Sequence, residues 1–117
     1  MARPVDPKRL AEEWAADQDV LAQMAAGGDI ASIVRTIDVS FTGPEKALDR
    51  LADAAADYGF EVAEFAETAP GTWQLDCDID QTTEPEAIKA LTTKCLEIEA
   101  AFPGVAYDGW GCLAQTD

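Results

Sequence analysis

"TWQLDCDID", residues 72–80, alternates without a break: Trp73, Leu75, Cys77 and Ile79 fall on one side, and Gln74, Asp76, Asp78 and Asp80 on the other. Side chains of a strand point to its two faces in turn, so this period of two predicts a strand with one apolar and one wet face. Such a strand belongs in a sheet that is covered on one side only. The segments around it decide what covers it.

Downstream, residues 82–104 carry Ile88, Leu91, Cys95, Ile98 and Phe102 at helical spacing. Thr83 is the expected cap, and Pro103-Gly104 the stop. The closing stretch "VAYDGWGCLA", 105–114, reads as a strand. Upstream, "ETAPG" (67–71) is a turn, and "FEVAEF" (60–65) is a short strand. In the latter Phe60 and Val62 alternate with Glu61, but Ala63 and Phe65 fall on the Glu61 side, which suits a peripheral strand. "GPEKALDRLADAAADYG" (43–59) is a helix with a Leu48, Leu51, Ala52, Ala55 and Tyr58 stripe, closed by Gly59. "SIVRTIDVSF" (32–41) is another strand, with Ile33, Ile37, Val39 and Phe41 on its apolar face. Arg35 is the misfit there, expected near the strand end with its stem packed and its charge in water. Residues 7–26 form a leading helix, capped by Asp6 and ended by Gly27-Gly28, with Leu10, Trp14, Leu21 and Met24 as its stripe.

After that first helix the order is β-α-β-β-α-β, the split βαβ or ferredoxin-like arrangement of an α+β protein. Both core helices should lie on one face of an antiparallel sheet in strand order 4-1-3-2. The expected division is a helical extension at 1–28 and a ferredoxin-like domain at 29–117.

The chain has 117 residues and a formal charge of -15, from 23 acidic and 8 basic residues. With 48% hydrophobic residues it is a folded domain rather than an acidic coil. The charge repels nucleic acid backbones and favours a basic partner. Cys77, Cys95 and Cys112 match no zinc spacing, and there is no His. No signal-like or membrane-spanning run is evident, so the cytoplasm is the expected compartment.

Asp76, Asp78 and Asp80 stand about 6.8 Å apart in succession, two strand rises each. Asp38 on the neighbouring strand can join them. The row is too spread for a ready metal cage, and neither metal nor cofactor is expected. With no His to activate a Ser or Cys, the chain does not read as an enzyme. An open sheet can bind RNA through aromatics and basic groups, but this one offers aspartates, so direct nucleic acid binding is not expected. What remains is protein binding, with a non-catalytic assembly or small-ligand-binding domain as the alternative. A dimer could form through the stripe of the leading helix.

"YDGWG", 107–111, is the unusual string. Asp108-Gly109 is a turn or bulge signal, and Gly109 and Gly111 are the expected structural turn residues. Strict alternation puts Tyr107 and Trp110 on opposite faces, so a bulge decides whether they cooperate. Trp110 either packs over the sheet edge or under the leading helix, or anchors a partner.

"VLAQMAAGGDIASIVRTIDVSF" (20–41), "ALDRLADAAADYGFEV" (47–62), "LDCDID" (75–80) and above all "VAYDGWGC" (105–112) together resemble the regulator of ribonuclease activity B family. The resemblance implies an acidic, cytoplasmic bacterial protein that binds ribonuclease E, through a basic non-catalytic region, and restrains its RNA cleavage. Asp76, Asp78, Asp80, Tyr107, Asp108 and Trp110 are the candidate contact residues.

Overall fold

A computed structural model describes residues 5–116. The elements are α1 (Pro7–Ala26), β1 (Arg35–Gly43), α2 (Glu45–Ala54) running into a 3₁₀ turn (Ala55–Tyr58), β2 (Glu61–Ala69), β3 (Thr72–Gln81), α3 (Pro85–Ala101) and β4 (Ala106–Gly111). The strands form one antiparallel sheet in the order β2-β3-β1-β4, the anticipated 4-1-3-2 order read from the other side. This is an α+β fold with a leading helix, consistent with a ferredoxin-like arrangement. The outer limits of the 1–28 and 29–117 division, residues 1–4 and 117, lie outside the described residues.

The central pair is regular. β1 and β3 match from Arg35↔Gln81 to Gly43↔Trp73 without a shift. Ile37, Val39, Phe41, Leu75 and Cys77 are buried on one face, and α2 and α3 supply Leu48, Leu51, Ile88, Leu91 and Ile98 against them. Each such side chain removed from water contributes about 1.5–3 kcal/mol. β1 ends in a close approach: a Cβ on Gly43 would stand 2.4 Å from the Gly104 carbonyl oxygen. Only glycine lets β1 pass the α3–β4 turn there.

α1 docks on α3. Leu10, Trp14 and Leu21 pack partly against the core. Lys89 of α3 sits over the Trp14 ring, 5.6 Å from its centre. Asp6 caps α1 as expected, accepting from the Lys8 amide at 2.9 Å.

Two sequence expectations are corrected. Arg35 does not reach water: its side chain is 3% exposed and paired with Asp29, whose side chain is equally hidden. It also donates to the carbonyls of Ile30 and Ile33. Asp29 lies in the α1–β1 loop, beyond any strand period, and the Arg35 guanidinium holds its carboxyl below the usual aspartate range. Thr83 does not cap α3, whose N-cap is Glu84 without a side-chain bond. Its hydroxyl donates to Asp29 at 3.3 Å, completing the same corner.

Candidate functional site

The wet face of β3 meets the wet face of β1 position by position. Thr36, Asp38 and Ser40 stand opposite Asp80, Asp78 and Asp76. In two of these pairs a hydroxyl satisfies the carboxylate by hydrogen bonding. Thr36 Oγ1 donates to Asp80 at 2.6 Å and Ser40 Oγ to Asp76 at 2.7 Å. Gln74 Nε2 adds a second donor to Asp76 at 2.9 Å. Asp78 instead faces Asp38, a like-charge pair that destabilises the sheet. Partial burial, followed by the charges of Asp76 and Asp78, pushes the Asp38 carboxyl above its ordinary range.

β2 enlarges this surface. Glu61 pairs with Asp78 and Glu64 with Asp76, so both glutamates join the open face. Their three-residue spacing forbids that in a regular strand. Ala63 is skipped in the register, and this bulge restores the facing. It also turns Phe65 under the sheet opposite Leu75, where its ring meets Trp73 edge-on at 5.4 Å. The ambiguity of "FEVAEF" is thereby resolved. The open face carries Asp38, Glu61, Glu64, Asp76, Asp78 and Asp80, and no strand position on it holds Lys or Arg. Beside Asp78 and Asp80 opens a cleft of about 360 Å³ lined also by Phe60, Ile79 and Glu61, and Lys94 Nζ stands 5.2 Å from the centre of the Phe60 ring. Among the described residues no three metal-ligand side chains converge.

The string "YDGWG" follows the same logic at the other edge. Tyr107 pairs with Phe41, Gly109 with Ser40 and Trp110 with Val39, leaving Asp108 as the extra residue. Gly109 takes φ of 112°, a conformation that glycine adopts at little cost. Tyr107 and Trp110 therefore face the same side, toward the helices. Tyr107 is 5% exposed, with its ring 5.8 Å from that of Phe41. It is a core residue and presents no surface to a partner. Asp108 is exposed, and Trp110 is half-buried. Gly111 is not a turn residue: its φ is not positive, and it stays in β4 opposite Asp38.

Trp110 lies under α1. Its Nε1 donates to Asp17 Oδ1 at 2.8 Å, and Thr92 Oγ1 donates to the other oxygen at 2.5 Å. Asp17 is 5% exposed and has no ion-pair partner among the described residues. Two charge-assisted bonds hold it instead. The Tyr107 hydroxyl is buried beside this cluster without a hydrogen-bond partner. Burial raises its pKa well above the ordinary phenol range. The sequence reading missed Asp17 and Thr92. The signal was available: Asp17 fills the gap between Trp14 and Leu21 in the α1 stripe, and Thr92 sits among Ile88, Leu91 and Cys95.

The thiols are not poised for attack. Burial pushes Cys77 up to about 11, with Asp76 and Asp78 adding to it, and raises Cys95 and Cys112 as well.

The class defined here is an α+β domain with one sealed sheet face and one open, carboxylate-lined face. The chain belongs to the family described as regulator of ribonuclease activity B, which it matches over residues 14–112. Membership points to a regulatory role, the proteins of this family being non-catalytic regulators. No match is found among curated proteins. No helix among the described residues is long and apolar enough to cross a membrane.

Proposed function

We propose that this protein, on a ferredoxin-like plan with a helical extension, binds ribonuclease E and restrains its cleavage of RNA in the cytoplasm. The observation that carries the reading is the open sheet face, with six carboxylates and no cation, on a chain of this family. Such a face steers a basic, non-catalytic region of the nuclease into contact. Asp76, Asp78 and Asp80 lie at the centre of the proposed contact, with Asp108 at its β4 margin; Trp110 serves from the helix side, holding β4 to α1. RNA itself is repelled. Self-association through α1 belongs to the same proposal, since Leu10 and Trp14 stay only partly covered. Sedimentation of wild type against Trp14→Ala tests it.

Calorimetric titration into the host's full-length ribonuclease E, at low and high salt, tests the main claim. Saturable binding that weakens with salt, together with slower RNA cleavage, is the expected outcome. Asp76→Lys, Asp78→Lys and Asp80→Lys combined should weaken binding by about tenfold or more. Unchanged affinity in that variant removes the acidic face from the interface.

A further inference from the structure

Resting on the partner reading above, we infer that β2 is a docking strand: a basic, extended segment of the partner adds along its free edge as a fifth strand of the sheet.

The two edges of the sheet are finished differently. At β4 side chains from the helices engage the amide and carbonyl of Tyr107. The Tyr107 amide donates to Glu99 at 2.9 Å, and its carbonyl accepts from Arg9 Nη2 at 3.4 Å. Arg9 and Glu99 are themselves paired at 3.1 Å. β2 has no such cover. It runs nine residues, mostly exposed. Among the described residues, no bond to the backbone of 61–66 comes from outside its ladder with β3. A long uncovered edge offers unpaired amides and carbonyls to any extended chain.

What guards this edge also selects its occupant. Glu61, Glu64 and Glu67 line β2, which has no Lys, Arg or Pro. A second copy would set glutamates against glutamates, and like charges across a strand pair oppose it. A strand bearing Lys or Arg meets the opposite condition. Its basic residues would flank Glu61 and Glu64 on the open face, next to Asp78 and Asp76. Its other face would lie along Val62, which is 40% exposed, and Phe65. The matching segment therefore alternates basic and aliphatic residues. Main-chain bonds give the affinity, and the alternation gives the specificity.

The test uses the full chain and two nine-residue peptides of equal composition, one alternating Arg with Val, the other with all Arg gathered at one end. The alternating peptide is expected to bind about tenfold tighter, and to slow hydrogen exchange of β2 amides by about tenfold or more. Glu61→Gln with Glu64→Gln should weaken it by about tenfold with no fall in the urea midpoint. Equal binding of the two peptides, no binding of either, or protection that omits β2 overturns the inference. Ribonuclease E, measured in parallel, separates the two claims. If it binds while β2 exchange is unchanged, strand addition fails and the partner stands. If it does not bind while the alternating peptide protects β2, strand addition stands and the partner falls.

Discussion

Strands β2 and β4 flank the same regular β3–β1 pair, and each contains an extra residue, Ala63 in one and Asp108 in the other. In β4 the extra residue turns Tyr107 and Trp110 to the helix side together, and the helices then close over that rim. In β2 it brings Glu61 and Glu64 to the open side together and turns Phe65 beneath. One irregularity thus builds core at one edge and an acidic surface at the other. The difference lies in what the helices supply. α1 and α3 bring Asp17, Thr92, Arg9 and Glu99 to β4. Along β2 it is the 3₁₀ turn after α2 that comes near, and it brings no such polar partners.

If β4 is the structural edge, Trp110→Ala should cost about 3–5 kcal/mol in urea unfolding. A loss below about 1 kcal/mol would make β4 as dispensable as an ordinary surface strand. Gly109→Ala forces a side chain into the positive-φ region and should cost about 1–2 kcal/mol. Equal stability would show that the bulge relaxes freely. Arg9→Met unseals the Tyr107 carbonyl and should cost about 1 kcal/mol, with faster exchange of the Tyr107 amide.

The smallest effect has the opposite sign and belongs to the open face. Asp38→Asn should stabilise the protein at neutral pH by up to about 1 kcal/mol, by relieving the pair with Asp78. The raised carboxyl of Asp38 favours folding when protonated, so its contribution is present in acid and is lost as pH rises through its folded value. The variant's advantage should therefore vanish in acid. Asp29 runs the other way. Its lowered carboxyl favours folding above the usual aspartate range, and that contribution is lost as pH falls through its folded value. Urea midpoints of wild type, Asp38→Asn and Asp29→Asn across pH 3–7 check both signs.

The sequence was most legible where its period ran unbroken. Asp76, Asp78 and Asp80 could be assigned to one face from alternation alone, and the element order gave the strand order. Legibility failed where one residue changed the parity. Regular alternation sets Tyr107 against Trp110 and Phe65 against Val62, and only the register with β1 or β3 reveals the skipped residue. It failed also where a polar group was satisfied from outside its own element. Arg35 meets Asp29 across a loop, and Asp17 meets Trp110 from the opposite end of the sequence. Periodicity shows that such a residue is buried but does not name its partner.

β4 is one residue longer than its central neighbour requires, and β2 is two longer, with Ala63 and Thr68 both skipped in its register. Removing Asp108 would leave Tyr107 opposite Phe41, and Gly109 and Trp110 opposite Ser40 and Val39, now in plain alternation. The aromatic facing is therefore robust to contraction. Adding a residue in the same place also gives even spacing, but without a second irregularity it moves the indole from Val39 to Ile37 and off its Asp17 partner. In evolutionary terms the tolerance of β4 to changes in length is one-sided: its margin permits a deletion more readily than an insertion.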